Sequence, residues 1–113
     1  MTSKVQFLYC IRPARAEMLC DGPTEREATI VAEHFLYLQG LVEDGVVLMA
    51  GRTLNNDDTT FGLVVLVADS QAEAMAVMHG DPAVAQGVMK AQLFPYRVAL
   101  WSKAGPDGGR NGT

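Results

Sequence analysis

Residues 4–11 alternate between apolar and more polar side chains, and this period of two predicts a β-strand. Residues 12–23 contain two prolines and a glycine, which interrupt regular structure, so a loop is expected there. The apolar members of the strand are Val5, Phe7, Tyr9 and Ile11.

The first helix is predicted to begin after Thr24. Thr24 and Glu27 have the spacing of a capping box, in which the hydroxyl and the carboxylate each accept a hydrogen bond from a free backbone N–H. The helix is expected to end at Asp44 and Gly45, because glycine readily adopts the left-handed conformation of a helix cap. Apolar residues follow at helical spacing, namely Ile30, Val31, Leu38, Leu41 and Val42.

Two further apolar runs, residues 46–53 and 61–68, predict strands joined as a hairpin by the polar residues 54–60. Both runs are nearly continuous in apolar residues. A sheet with helices on one side needs only one apolar face. Because continuous apolar runs give these strands two apolar faces, something must cover the face without helices. We therefore predict a homodimer in which two sheets pack face to face.

The second helix is predicted to begin at another capping box, formed by Ser70 and Glu73, and to run to His79. Asp81 and Pro82 then have the sequence of an N-cap followed by the first residue of a short helix.

Residues 93–101 are predicted to form the last strand, and Pro95 within it indicates an edge or a bulge. The element order β-α-β-β-α-β is that of the ferredoxin-like fold, an α+β arrangement with an antiparallel sheet and helices on one face. Residues 1–101 are thus expected to form one domain. Residues 102–113, rich in glycine and polar side chains, are expected to form a disordered tail.

The composition excludes several classes of protein. No apolar run reaches the length of a membrane span, and the N-terminal apolar stretch is too short for a signal peptide, so a cytoplasmic location is expected. The net charge of −4, without a basic stripe, argues against nucleic acid as a partner. Cys10 and Cys20 are too far apart for a redox or metal pair, and no phosphate-binding or metal-ligand motif occurs, so no cofactor is expected.

His34 and Asp81 are the candidate catalytic residues. His34 continues the apolar stripe of the first helix and should point towards the sheet, either as a core histidine bonded to a backbone carbonyl or as a general acid or base. Asp81 is explained by helix capping alone, but an ionised carboxylate also orients a neighbouring imidazole and stabilises its protonated form. In that case His34 would move the proton and Asp81 would hold the ring.

Three further residues are candidates for binding a substrate. Arg52 ends the second strand beside the polar turn, where it would either bind a carboxylate or remain solvated. Tyr9 and Tyr37 would either offer hydroxyls to a pocket or fill the core. His79 is explained by its place at the end of a helix, where a cation is favourable.

The sequence resembles the YciI-like (YCII-related) family in two runs and in the first strand, over roughly residues 4–101. The runs are EHFLYLQGLVEDGVVLMAGRT, residues 33–53, and AVMHGDPAVAQGVMKAQLFPYRVAL, residues 76–100. The resemblance implies a dimeric α+β barrel and a catalytic His-Asp pair, which falls on His34 and Asp81. Similar folds act on small aromatic or lactone compounds, and one type of family member is a dehydrochlorinase.

Two positions depart from the family pattern. Arg52 stands where family members often have proline, and Ala83 stands where they often have an aromatic residue. Since both positions are expected to border the cleft, the size and charge of the substrate are expected to differ, and Arg52 would suit an anion.

The favoured interpretation is a cofactor-free enzyme of the lyase or isomerase type. It would use His34 and Asp81 for proton abstraction, elimination or isomerisation of a small organic molecule. The alternatives are a non-catalytic module that binds a small molecule and a dimeric interaction module without a ligand.

Overall fold

The fold is built on a four-stranded antiparallel sheet, as seen in a computed structural model that describes residues 4–107. Two long helices, α2 and α3, pack against one face of this sheet, and two short helices precede and follow them. The elements are β1 (Val5–Pro13), α1 (Glu17–Cys20), α2 (Glu25–Glu43), β2 (Val47–Arg52), β3 (Gly62–Ala68), α3 (Gln71–Gly80), α4 (Pro82–Ala85), β4 (Met89–Pro95) and a 3₁₀ turn (Gly105–Asp107).

The strand order is β2-β3-β1-β4, and every neighbouring pair is antiparallel. This confirms the predicted ferredoxin-like α+β fold, including the β2–β3 hairpin. Tyr9 pairs with Val64 on one side and with Leu93 on the other, so β1 lies in the interior of the sheet. Residues of β1 therefore reach the centre of the face that the helices cover.

The core lies between that face and the two long helices. Alternate residues of β1 and β3 point towards the helices, as the period of two in β1 predicted. Burial of these side chains is what attaches α2 and α3 to the sheet. The buried cluster comprises Phe7, Tyr9, Ile11, Leu38, Val47, Val64, Leu66, Ala68, Ala74 and Met78.

The predicted helix caps are present, with one difference. The Thr24 hydroxyl accepts a hydrogen bond from the Glu27 N–H, and the Glu27 carboxylate accepts one from the Thr24 N–H. At the start of α3, the Ser70 hydroxyl accepts from the Glu73 N–H, but the Glu73 carboxylate accepts from the N–H of Asp69. The second capping box is thus displaced by one residue on its carboxylate side.

The sequence-based prediction of a loop over residues 12–23 was wrong, because this stretch contains α1. A four-residue helix is a single turn, too short to produce a recognisable hydrophobic period. The last strand was also predicted wrongly at both ends, since it begins at Met89 and stops at Pro95. Pro95 lies on an edge strand, as predicted, and its ring nitrogen cannot donate the hydrogen bond that would extend the ladder.

The segment predicted to be a tail includes the 3₁₀ turn at Gly105–Asp107. Residues 108–113 of that segment lie outside the described part of the chain. None of the helices formed by residues 4–107 has the length and apolar composition needed to cross a membrane.

The face of the sheet opposite the helices is also apolar. The strand registers place Leu8, Val65 and Met49 side by side on it, and Phe94 of β4 pairs with Leu8 on the other side. Met49 and Phe94 are exposed to solvent.

An ion pair between Arg15 and Glu27 ties the segment before α2 to the first turn of that helix. The Arg15 guanidinium donates from Nε and Nη2 to the two carboxylate oxygens of Glu27, at 2.9 and 2.8 Å, and Nη2 also donates to the carbonyl of Gly22. The hydrogen bonds from Arg15 to the carboxylate, together with the one from the Thr24 N–H, lower the pKa of Glu27 from 4.5 to about 2. The residues between β1 and α2 are therefore held against the helix.

We predict that Glu27→Gln lowers the melting temperature at pH 7. The pKa of Glu27 is lower in the folded than in the unfolded protein, so its stabilising effect is present above pH 4.5 and is lost as the pH falls towards about 2. The difference in melting temperature between wild type and Glu27→Gln should therefore shrink across that window. Thermal unfolding followed by circular dichroism at several pH values measures it.

Glu33→Gln is the matched control, because it removes the same charge from an exposed position of α2. A Glu27→Gln variant as stable as Glu33→Gln at pH 7 would contradict the assigned role.

Candidate active site

His34 and Asp81 form a hydrogen-bonded pair between α2 and the junction of α3 with α4. Nδ1 of His34 lies 2.7 Å from Oδ1 and 2.9 Å from Oδ2 of Asp81. The Asp81 side chain is completely buried, and that of His34 is 12% exposed. The structure thus brings together the two residues that were predicted as a catalytic pair.

Asp81 is placed by the break between two helices. Its Oδ1 accepts a hydrogen bond of 3.0 Å from the Ala83 N–H, and Pro82 occupies the first position of α4, as predicted. The same carboxylate therefore caps α4 and holds His34. The capping alternative and the pairing alternative for Asp81 are both realised.

Tyr9 completes the surroundings of this carboxylate. Its hydroxyl donates a hydrogen bond of 2.8 Å to Oδ2 of Asp81 from the centre of the sheet. Burial and the nearby charge of Asp81 raise the pKa of the Tyr9 phenol far above its usual value, so the hydroxyl remains a donor. Asp81 thus has three partners, which come from β1, α2 and its own backbone neighbour in α4.

The contacts of Asp81 determine which nitrogen of His34 is available for chemistry. Since the carboxylate accepts hydrogen bonds from Tyr9 and Ala83, we assign the proton of the neutral imidazole to Nδ1, where it is donated to Asp81. Nε2 then carries a lone pair. Within residues 4–107 no protein group hydrogen-bonds to Nε2, and the ring lines a cavity.

This cavity has a volume of about 800 Å³ and is mainly apolar. It lies between α2, the segment before that helix, and the ends of β1, β2 and β3. Its volume is in the range of small-molecule binding sites. Residues with apolar side chains along its wall include Met18, Leu19, Val31, Phe35 and Phe61.

Small residues leave room on the sheet side of the cavity. Ala50, Gly51 and Gly62 all line it. A Cβ atom added to Gly62 would lie 2.9 Å from Cγ1 of Ile11, so only glycine allows these two strands to pack in this way. The shape of the cavity therefore depends on Gly62.

Arg52, one of the predicted substrate-binding residues, is among the residues that line the cavity, and so is Arg12, which was not predicted. β1 and β2 both run antiparallel to β3, so they are parallel to each other and their C-terminal ends lie at the same end of the sheet. Arg52 pairs with Gly62, which also pairs with the core residue Ile11, so Arg52 lies on the face that the helices cover, whereas Arg12 follows Ile11 in β1 and lies on the other face.

Tyr9 and Tyr37 were predicted as possible substrate-binding residues, but neither lines the cavity. The Tyr9 hydroxyl is engaged by Asp81, and the Tyr37 hydroxyl donates 2.7 Å to the carbonyl of Val77. These contacts favour the alternative role of both tyrosines in the core. Tyr37 also packs so closely on Gly80 that a Cβ there would lie 2.8 Å from its oxygen.

The remaining candidates contribute little to this site. His79 lies in the last turn of α3, as expected, and does not line the cavity. Cys10 and Cys20 are free thiols. Nowhere in residues 4–107 do three or more histidine, cysteine, aspartate or glutamate side chains group closely enough to hold a metal ion.

Comparison with known proteins gives a family and a similar fold. The model of the YCII-related domain family matches residues 6–97. A solved structure similar to this chain is that of 5-chloro-2-hydroxyhydroquinone dehydrochlorinase from Burkholderia phenoliruptrix AC1100, in complex with 2,5-dihydroxybenzoquinone. The TM-score is 0.58 at 19% sequence identity, over 80% of this chain and 93% of that chain. No curated protein matches significantly.

We predict that Tyr9→Phe destabilises the protein by about 1.5–3 kcal/mol, the usual contribution of a hydrogen bond to a charged group. The substitution removes one donor from a carboxylate that water does not reach, while the ring that fills the core remains. Urea unfolding followed by fluorescence measures the change.

Tyr96→Phe is the control, since Tyr96 is exposed and its loss of a hydroxyl should change the stability by less than about 0.5 kcal/mol. Equal stability of Tyr9→Phe and wild type would show that the Tyr9 hydroxyl does not support Asp81.

Proposed function

This chain belongs to the YCII-related domain family, and we propose that it is a cofactor-free enzyme that performs general acid–base chemistry on a small organic molecule. The observation that carries the proposal is the orientation of His34. Its Nδ1 is held by a buried carboxylate, and its ring lines a cavity large enough for a small molecule. An imidazole held in this way presents Nε2 as a base.

In the proposed reaction, Nε2 of His34 takes a proton from a carbon atom of the substrate. The electrons of the broken C–H bond then either expel a leaving group from the adjacent carbon, which is an elimination, or form an enolate. The enolate can take a proton back from the imidazolium at another carbon, which is an isomerisation. Each route balances without an added oxidant or reductant.

Asp81 acts on His34 and does not touch the substrate. The negative carboxylate stabilises the imidazolium that forms when His34 accepts the proton. Its hydrogen bonds with Tyr9 and Ala83 prevent it from turning with the ring. Asp81 is therefore a positioning residue, and His34 is the proposed catalytic residue.

The proposed reactions include elimination because a solved structure with a similar fold is that of a dehydrochlorinase. That protein is named a dehydrochlorinase and is seen with a quinone bound. Loss of a proton and a chloride from adjacent carbons is chemistry that a base such as His34 can start. The likeness shows a shared fold, and the reaction of this chain is our proposal.

The alternative is a module that binds a small molecule without changing it. The same cavity supports this alternative, with His34 as a hydrogen-bonding group. A dimeric interaction module without a ligand was expected to have a filled interior near His34. The cavity beside His34 therefore does not favour that alternative.

We predict that the protein catalyses the exchange of carbon-bound hydrogen for deuterium in D₂O. A panel of small aromatic and lactone compounds with acidic C–H bonds is incubated with the protein and analysed by mass spectrometry. His34→Gln should lower the exchange rate roughly 10²–10⁴-fold, the usual contribution of a general base. His79→Gln is the matched control and should leave the rate unchanged.

Asp81→Asn should also lower the rate, for a different reason. The asparagine amide can donate to Nδ1, which moves the imidazole proton to Nε2 and removes the basic lone pair from the cavity. Nitrogen-15 NMR of the imidazole ring reports this change of tautomer. Tight binding of panel compounds with neither exchange nor elimination would favour the binding module.

We further propose that two copies of the chain pair through the apolar face of the sheet opposite the helices. In the described residues that face carries exposed Met49 and Phe94 beside Leu8 and Val65. Contact between two such faces would remove apolar surface from water.

Met49→Glu and Phe94→Glu are expected to convert dimers to monomers in light scattering coupled to size-exclusion chromatography. A carboxylate buried without a partner costs several kcal/mol, so each substitution should raise the dissociation constant of the dimer at least about 100-fold. Leu54→Glu, at an exposed apolar residue of the β2–β3 turn, should have no effect. A wild-type monomer at micromolar concentration would refute the proposal.

A further inference from the structure

The end of α3 leaves one backbone carbonyl without its usual partner. In a continuous helix the carbonyl of Val77 would accept a hydrogen bond from the N–H of Asp81, four residues later. Here that N–H donates over 3.3 Å to the carbonyl of Met78 instead. The usual partner of the Met78 carbonyl would be Pro82, which has no N–H, so this carbonyl is free to accept it. Asp81 then leaves the helix with an extended backbone, at φ −65° and ψ 121°.

Tyr37 supplies the missing donor from another helix. Its hydroxyl donates a hydrogen bond of 2.7 Å to the carbonyl of Val77, 40 positions away in the chain. Burial and the nearby charge of Asp81 raise the pKa of the Tyr37 phenol above its usual value, so the hydroxyl remains a donor. A carbonyl that has lost its helical partner needs another one. The Tyr37 hydroxyl thus takes the place of the Asp81 N–H.

Gly80 is matched to this contact. A Cβ atom at position 80 would lie 2.8 Å from the Tyr37 oxygen, which is closer than such atoms approach, but 3.6 Å from the ring carbon that bears this oxygen. Glycine is otherwise less favourable than alanine in a helix. The glycine therefore allows the Tyr37 hydroxyl to stay at the carbonyl of Val77.

Tyr37 and His34 hold the two sides of Asp81 from the same helix. They lie three residues apart on α2, so their side chains project from one face. His34 contacts the Asp81 carboxylate, and Tyr37 contacts the backbone of the helical turn that precedes Asp81. α2 thus contacts the junction of α3 and α4 through both a side chain and a carbonyl group.

From these contacts we infer that Tyr37 is a positioning residue for the His34–Asp81 pair. Its hydroxyl ends α3 at Gly80, and this turns the Asp81 carboxylate towards Nδ1 of His34. The inference rests on the proposed function in taking His34 as the base. It gives Tyr37 a role that is neither substrate binding nor the mere filling of the core.

Tyr37→Phe tests the inference, because it removes the hydroxyl and keeps the ring. Nitrogen-15 NMR of the imidazole should show the proton of His34 on Nδ1 in the wild type and a mixture of both tautomers in Tyr37→Phe, since Asp81 is then less well aligned. The rate of deuterium exchange should fall about tenfold, as expected when a single hydrogen bond of about 1.4 kcal/mol is lost.

Ser70→Ala is the matched control, because it weakens the same helix at its other end. The Ser70 hydroxyl caps the start of α3 by accepting from the Glu73 N–H. Its loss should lower the melting temperature measured by circular dichroism, and it should leave both the His34 tautomer and the exchange rate unchanged.

A cycle of single and double substitutions tests the contact between Tyr37 and Gly80. Gly80→Ala should lower the melting temperature of the wild type, since the new Cβ displaces the hydroxyl. In the Tyr37→Phe background the same substitution should no longer lower it, because the nearest ring atom is 3.6 Å away and alanine favours the helix.

An unchanged His34 tautomer in Tyr37→Phe, or an equal effect of Gly80→Ala in both backgrounds, would overturn the inference and leave Tyr37 as a core residue. The proposed function fails separately. A shifted tautomer in Tyr37→Phe, in a protein without deuterium exchange, would support the positioning role and reject the catalytic role of His34. Exchange that depends on His34 but not on Tyr37 would do the reverse.

Discussion

The carboxylate of Asp81 is the constraint on which the site depends. A charged group with no access to water is strongly unfavourable unless hydrogen bonds replace its hydration. Here Tyr9, His34 and the Ala83 N–H provide them. These groups come from the sheet, from α2 and from α4, so the carboxylate can be satisfied only when the three parts of the fold are in their correct relative positions.

Stability and the orientation of His34 are therefore coupled in this protein. The hydrogen bond that lowers the cost of burying Asp81 is the same one that assigns the proton of His34 to Nδ1. Tyr9 and Ala83 restrain the carboxylate, and the carboxylate restrains the ring. The orientation of the His34 ring is then a consequence of how the core satisfies a buried charge.

Local signals in the sequence were sufficient for most of the fold. The Thr24 and Asp81 caps, the helical stripe that includes His34 and the period of two in β1 each depend on residues close together along the chain. The failures involve very short elements, such as α1, the bounds of β4, and contacts between distant residues. Tyr9 and Asp81 are 72 positions apart, and their contact follows from the strand order and register, which no single segment determines.

The start of α2 links the fold to the cavity. Glu27 closes the capping box of the helix that carries His34 and also binds Arg15, which holds the preceding segment in place. That segment includes Met18 and Leu19, which form part of the cavity wall. One carboxylate thus sets the beginning of α2 and the position of the wall facing it. The two helix caps at Thr24 and Asp81 have equivalent roles, because each joins a local backbone requirement to a distant contact. Between them they position His34 and the cavity that its ring lines.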